Sequence, residues 1–210
     1  MILYEVEENI ILDLGNVIIN YNQQNIIYNF TKKEEEIKYI YNEIFHAPEW
    51  EQMDLGNISN EEAVKVINRR NKLKYQKLTD NFLHEWYKKQ TINREIVEIA
   101  KKLKENGYNL YVLSNMASLT YEYFKNEEFF SLCTGIIISA HEHLMKPDEK
   151  VFKLLLERYK LNAEECLFID DDPSEQNYRT ANKIGMKGRR IIPNKTEDVK
   201  KLLIEHEIKI

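Results

Sequence analysis

The sequence predicts an α/β fold in which helices sandwich a parallel sheet and a block of helices is inserted after the first strand. Three observations carry that expectation. Four short, continuous apolar runs recur at 9–14, 110–114, 135–139 and 166–170, and runs of this length without alternation suit strands buried on both faces. From residue 92 onward such runs alternate with helical patterns, as right-handed β-α-β crossovers require. Between residues 21 and 88 the patterns are helical and no strand is visible.

The first run holds Ile10, Ile11 and Leu12 and ends at Asp13-Leu14. In the inserted block, Thr31-Lys32-Lys33-Glu34 and Ser59-Asn60-Glu61-Glu62 each fit a capping box, where the hydroxyl and the acid satisfy each other's backbone amides. Apolar residues follow at helical spacing: Ile37, Ile40, Tyr41 and Ile44, then Ala63, Val64 and Ile67. A third helix carries Phe82, Leu83 and Trp86. In 92–105, Ile92, Ile96, Ile99, Ala100 and Leu103 share one face, and Gly107 marks the stop. In 148–160 the face is Val151, Phe152, Leu155, Leu156 and Tyr159, with Asp148 as N-cap. A weaker fifth strand falls at 190–193, and Thr196 caps a last helix through Leu203.

A chain of 210 residues accommodates one domain with an insertion or two small domains. It can bury roughly 70% of its unfolded surface, so it folds without a disulfide or structural metal. The net charge of −5 argues against a nucleic-acid partner, which would want a basic face. Cys133 and Cys166 sit inside apolar runs and read as reduced core residues. No apolar stretch approaches the roughly 20 residues that span a bilayer, and the opening MILYEVEENI lacks the charged-then-apolar order of a signal peptide. The expectation is a cytoplasmic enzyme with no membrane partner, as a monomer or homodimer.

Ligands of parallel α/β sheets bind at the carboxyl ends of the strands. The residues following the four strong runs are Asp13-Leu14-Gly15-Asn16-Val17, Ser114-Asn115, Lys146-Pro147 in the loop past the third run, and Asp170-Asp171-Asp172. One sheet edge would therefore gather carboxylates, a hydroxyl and an ammonium. Carboxylates at one point repel unless a cation joins them, and oxygen ligands suit Mg²⁺. Asp13, Asp170 and Asp171 are the candidates. A carboxylate can also attack phosphorus, splitting one hard step into two. Lys146 would neutralise charge on the transferring group. Ser114 and the backbone amides of Gly15, Asn16 and Asn115 could hold phosphate oxygens.

These four motifs, in this order, resemble those of the haloacid dehalogenase-like superfamily. Its first motif, Asp-x-Asp-Gly-Thr/Val, corresponds to Asp13-Leu14-Gly15-Asn16-Val17. Its second, a strand ending in Ser/Thr, corresponds to Leu113-Ser114-Asn115. Its third, a Lys often followed by Pro-Asp, corresponds to Lys146-Pro147-Asp148. Its fourth, a strand ending in Asp-Asp, corresponds to Phe168-Ile169-Asp170-Asp171. The resemblance covers the whole core. It is similar to the branch with a helical cap, and Asp-Leu-Gly-Asn-Val resembles a subgroup of sugar-phosphate phosphatases that includes α-glucose-1-phosphate phosphatase. It implies a Rossmann-like core at 1–19 and 90–210 and a cap at 20–89. It also implies Asp13 as nucleophile, Lys146 as its electrostatic partner, and Mg²⁺ held by Asp13, the Gly15 carbonyl, Asp170 and Asp171. The strand-ending position favours Asp170 as the direct ligand. The implied substrate is a small phosphorylated metabolite, a sugar phosphate by preference.

The pattern departs at Gly15, where relatives carry an Asp that acts as general acid and base. Such help is typically worth 10²–10⁴-fold. A cap residue, a water or an unusually good leaving group would have to compensate. A metal-free dehalogenase tolerates the loss, since halide leaves unprotonated, but such enzymes lack the paired aspartates. A non-catalytic binding module is the third reading. In the cap, Trp50, Asp54 and Gly56 resemble a Trp…Asp-x-Gly stretch of relatives, with Trp50 expected in the cap core.

Overall fold

The computed structural model describes residues 8–210. The opening segment read above for a signal peptide, and the start of the 1–19 core segment, fall mostly outside the described residues. The chain begins with β1 (Asn9–Leu12) and β2 (Ile19–Asn20). Five helices follow: α1 (Gln23–Tyr28), α2 (Glu34–Ile40), α3 (Pro48–Asp54), α4 (Asn60–Arg70) and α5 (Gln76–Glu85). After β3 (Thr91–Ile92) come α6 (Arg94–Glu105), β4 (Asn109–Ser114), α7 (Ser118–Phe124), α8 (Glu128–Leu132), β5 (Gly135–Ile138), α9 (Ser139–Glu142) and α10 (Glu149–Tyr159). The last elements are β6 (Cys166–Asp170), α11 (Gln176–Lys183), β7 (Lys187–Arg190) and α12 (Thr196–Glu205).

The main sheet is parallel, in the order β5-β4-β1-β6-β7. β1 lies in the centre, so Asp13, one residue past its end, emerges from a strand buried along its whole length. Successive strand residues point to opposite faces. Ile10 and Leu12 join one apolar cluster with α6 and α12, and Ile11 joins another with Phe152, Leu155 and Phe168. Helices on both faces explain why the strands read as unbroken apolar runs. The Rossmann-like parallel sheet expected from the sequence is the observed fold. The inserted segment buries a second cluster, built on Ile40, Ile44, Phe45, Ile67, Phe82 and Trp86, which Ala117 from the loop after β4 joins. The short antiparallel pair of β2 and β3 stands where the chain leaves the sheet region and returns. Among the described residues, no helix is long and apolar enough to cross a membrane.

Local signals held at several points. Ser59 and Glu62 form both bonds of the capping box, Asp148 accepts the Lys150 amide at 2.9 Å, and Gly107 takes φ +93 after α6. Four expectations need correction. The fifth strand is β7, just upstream of 190–193. As an edge strand it buries only Gly188 fully, so it never needed an apolar run. A Cβ on Gly188 would lie 2.4 Å from the Tyr178 carbonyl oxygen, which is why α11 can pack there. Thr31 does not cap α2. The helix starts later, with Lys33 at the cap, and the Thr31 hydroxyl accepts the Lys33 amide while donating to Glu36. Thr196 is the first residue of α12 and accepts from the Asn93 side chain at 3.1 Å, while Asp198 takes the Ile192 amide. Trp86 lies just past α5, in a 3₁₀ turn at Trp86–Lys89.

Candidate active site

The carboxyl ends of β1, β4 and β6 and the loop after α9 converge as the apolar runs required. Lys146 is buried, 2% exposed, and its Nζ lies 3.0 Å from Asp13 Oδ1 and 2.6 Å from Asp170 Oδ2. Its backbone is fixed by Asn115, whose side chain donates to the Lys146 carbonyl and accepts its amide, both at 2.8 Å. Two expected site residues thus hold each other in register across β4 and the loop. The Ser114 hydroxyl bonds the Asp13 carboxylate. One oxygen from each of Asp13, Asp170 and Asp171 falls within 4.8 Å of the others.

The three aspartates of the Asp170-Asp171-Asp172 run have different jobs. Asp170 is buried and committed: it accepts from the Asp172 amide at 2.8 Å, from the Asn177 side chain at 3.1 and 3.2 Å, and from Lys146. Asp171 faces the cavity and takes one bond, from the Asn16 side chain at 2.9 Å. Asp172 caps the following turn through Ser174, Gln176 and Asn177. Asn177, seven residues past its partner, was not among the expected site residues.

The charges are coupled. Burial raises the Asp13 carboxyl, Lys146 opposes that, and the Asp170 charge adds to it. Burial would pull Lys146 down, but Asp13 and Asp170 outweigh it and keep the ammonium charged. Burial and then the Asp13 charge push Asp171 up to about 7, with the Asn16 bond opposing. A divalent cation among these oxygens would remove that repulsion, and an all-oxygen carboxylate set fits a hard cation such as Mg²⁺.

Asn16 departs from expectation. Its amide, assigned to phosphate, donates to the Ile19 carbonyl at 2.7 Å, so it is not available. Its side chain instead bonds Asp171 and accepts from the Tyr21 amide and the Asn194 side chain. Asn16 therefore braces the first loop, whereas the amides of Gly15 and Asn115 make no backbone hydrogen bond among the described residues.

A cavity of about 230 Å³ opens above Asp13 and Asp171, between the sheet edge and the inserted helices. Its far wall is Tyr21, Trp50, Trp86 and Gln90, with Asp54 beside them. Trp50 packs on Phe45 and Trp86, with ring centroids 4.6 and 4.7 Å apart, and also borders the cavity. The Gln90 Nε2 is buried without a hydrogen-bond partner among the described residues. Sequence reasoning missed Tyr21, Trp86 and Gln90, whose type and spacing are those of ordinary core residues. His141 and His143 do not border the cavity: His143 holds the Leu55 carbonyl and His141 packs on Tyr121.

A parallel sheet with an aspartate at its central strand end and a lysine joining two carboxylates defines a hydrolase-type site of the motif set read from the sequence. The haloacid dehalogenase-like hydrolase family profile matches residues 8–175, and the chain belongs to that family. It is 22% identical over 184 residues to the sesquiterpene phosphatase astK of Aspergillus oryzae, covering 85% of this chain and 86% of that one. It resembles a haloacid dehalogenase family enzyme of Bacteroides thetaiotaomicron, solved with magnesium and inorganic phosphate, at TM-score 0.74 and 23% identity, covering 90% and 96% of the two chains. The L-2-haloacid dehalogenase of Xanthobacter autotrophicus shares the fold at TM-score 0.63 and 14% identity, covering 94% and 82%.

Proposed function

We propose that this hydrolase is a Mg²⁺-dependent phosphatase that cleaves a small phosphomonoester through an aspartyl-phosphate on Asp13. The observation that carries the reading is the convergence of three carboxylates within 4.8 Å beside the buried Lys146. Halide displacement needs no such cluster, because a halide leaves without charge neutralisation by a metal. The phosphatase activity of the Aspergillus relative and the magnesium and phosphate in the Bacteroides structure support the same reading.

Asp13 and Asp171, with the Gly15 carbonyl, would hold the ion. Asp170 stands behind them, its oxygens already taken by Lys146, Asn177 and the Asp172 amide. This reverses the preference for Asp170 drawn from its place at the strand end. The bound metal would supply Lewis-acid polarisation of the phosphoryl group. The Asp13 carboxylate attacks phosphorus while Lys146 balances its charge. The Gly15 and Asn115 amides bind the phosphoryl oxygens, and the Ser114 hydroxyl turns from Asp13 to join them once substrate is in place. Water then hydrolyses the aspartyl-phosphate. The helices of 20–89 act as a cap that closes the cavity, excludes bulk water and selects the substrate. A sugar phosphate remains the preferred substrate, since the aromatic wall of Tyr21, Trp50 and Trp86 offers faces to a ring. The same wall suits a prenyl chain, so a prenyl phosphate belongs in the panel.

A Mg²⁺ titration with p-nitrophenyl phosphate tests the reading. Metal-dependent phosphate release that disappears in Asp13→Asn is expected. Release of halide from a haloacid without metal would overturn it, and Mg²⁺ binding without turnover on any ester would favour a binding module.

A further inference from the structure

The proposed reaction needs a proton at one specific place. When Asp13 bonds to phosphorus, the bond from phosphorus to the substrate oxygen breaks, and that oxygen leaves with the electron pair. An alkoxide is too basic to leave well without protonation. Among the described residues immediately around Asp13 no acid is spare: Asp170 and Asp171 converge on the nucleophile, and Gly15 has no side chain. A Cβ built on Gly15 meets nothing within 4 Å, so the space beside it is open to the cavity.

Beyond Asp13 and Asp171, the cavity wall holds, among the described residues, one further carboxyl, Asp54, and no lysine, arginine or histidine. Asp54 is the last residue of α3, and the core fixes its position from three sides. The Ser139 hydroxyl donates to the Asp54 carbonyl at 2.5 Å and accepts the Met116 amide at 2.9 Å. The Ala117 amide bonds the Asp54 carboxyl. Two residues on, Gly56 takes φ +69 and packs so closely that a Cβ would lie 2.0 Å from the Ala140 carbonyl oxygen. This turn is therefore docked on the strand ends that carry the rest of the site.

We propose that Asp54 is the general acid and base of this reaction, standing in from the inserted helices for the carboxyl that Gly15 lacks. The proposal rests on the phosphatase reading and deepens it. In the first step the Asp54 proton goes to the leaving oxygen as the phosphorus–oxygen bond to the alcohol breaks. In the second, water attacks phosphorus, the bond from phosphorus to Asp13 breaks, and Asp54 takes the proton from the water. One water is consumed, and the alcohol and inorganic phosphate depart with both carboxyls restored. Burial, with a smaller push from Glu51 and against the Ala117 amide, raises the Asp54 carboxyl to about 7, so it can hold a proton at neutral pH.

The test compares wild type with Asp54→Asn, both with Mg²⁺, on two esters. The phenolate of p-nitrophenyl phosphate leaves without a proton, whereas a primary alkyl phosphate needs one. Asp54→Asn should lose about 10²–10⁴-fold in kcat/KM on the alkyl ester and little in kcat/KM on the aryl ester, whose first-turnover burst of phenolate also certifies the fold, while steady-state kcat on the aryl ester falls with the lost base. An equal loss on both esters, or none on the alkyl ester, would overturn the assignment. So would a wild type that turns over the aryl ester alone, because it would have no working acid. A wild type that releases phosphate from neither ester would instead bring down the phosphatase reading itself.

Discussion

Replacing Lys146 with Met leaves two buried carboxylates facing each other without their shared counter-ion. The ammonium stands 3.0 Å from Asp13 and 2.6 Å from Asp170, at 2% exposure. Removing one partner of a buried ion pair costs about 3–5 kcal/mol, because the remaining charge stays desolvated. Met has nearly the same length and keeps the contact that Lys146 makes over the Phe168 ring at 5.4 Å, so lost packing adds little. For a chain of this size each kcal/mol moves the melting point by roughly 2–4 °C, which puts the expected loss at roughly 6–20 °C. The assay is denaturant and thermal unfolding in a chelator, repeated with saturating Mg²⁺. The cation should restore part of the loss by taking over the neutralisation of Asp13, while hydrolysis stays impaired. A loss below about 1 kcal/mol in the chelator would refute the argument, since a lysine bonding two buried carboxylates cannot be removed so cheaply.

Three other perturbations follow from the same geometry. Asp54 and Asp171 both rise from 3.8 to about 7 on folding, so the folded chain binds more protons than the unfolded one. These two carboxyls should therefore cost metal-free stability progressively as pH rises from the ordinary carboxylate range toward about 7; a double variant Asp54→Asn, Asp171→Asn whose denaturation midpoint does not gain on wild type over that interval would contradict both shifts. Gly56→Ala forces a methyl to within 2.0 Å of the Ala140 carbonyl at a backbone angle of φ +69, and should cost more than about 1 kcal/mol and lower kcat by undocking Asp54, readable by urea titration and turnover. Gln90→Leu removes a buried amide nitrogen that has no partner among the described residues. The free protein should be no less stable, but KM should rise roughly 10-fold for a hydroxylated substrate that bonds Gln90, and an unchanged KM across a sugar-phosphate panel would remove Gln90 from recognition.

The sheet and the strand-end motifs were legible because β1, β4 and β6 are buried on both faces and must read as unbroken apolar runs. A chemically demanding residue at each exit is then conspicuous. β7 was misplaced for the opposite reason: an edge strand exposes Arg189 and Arg190 and carries no such signature. Lys146 could be placed in the site but not between Asp13 and Asp170, because that depends on how the loop after α9 folds back through Asn115. The division of labour among Asp170, Asp171 and Asp172 was equally hidden, since it is decided by which backbone amides each carboxylate meets. The cavity wall was least legible. Tyr21, Trp86 and Gln90 come from distant segments that meet only when the inserted helices pack, and single aromatic residues in apolar patterns read as core. Asp54 stood in a recognisable stretch, yet its place in the wall of the cavity that Asp13 also lines depends on Ser139 and Ala140, which no local pattern links to it.

The central claim is that Asp13 becomes phosphorylated. Rapid acid quench of the enzyme during turnover with Mg²⁺ and a phosphomonoester, followed by peptide mass mapping, tests it most directly. The account predicts a phosphoryl adduct on the peptide bearing Asp13, absent in Asp13→Asn. Turnover that continues with no adduct on that peptide, or that survives in Asp13→Asn, would contradict it.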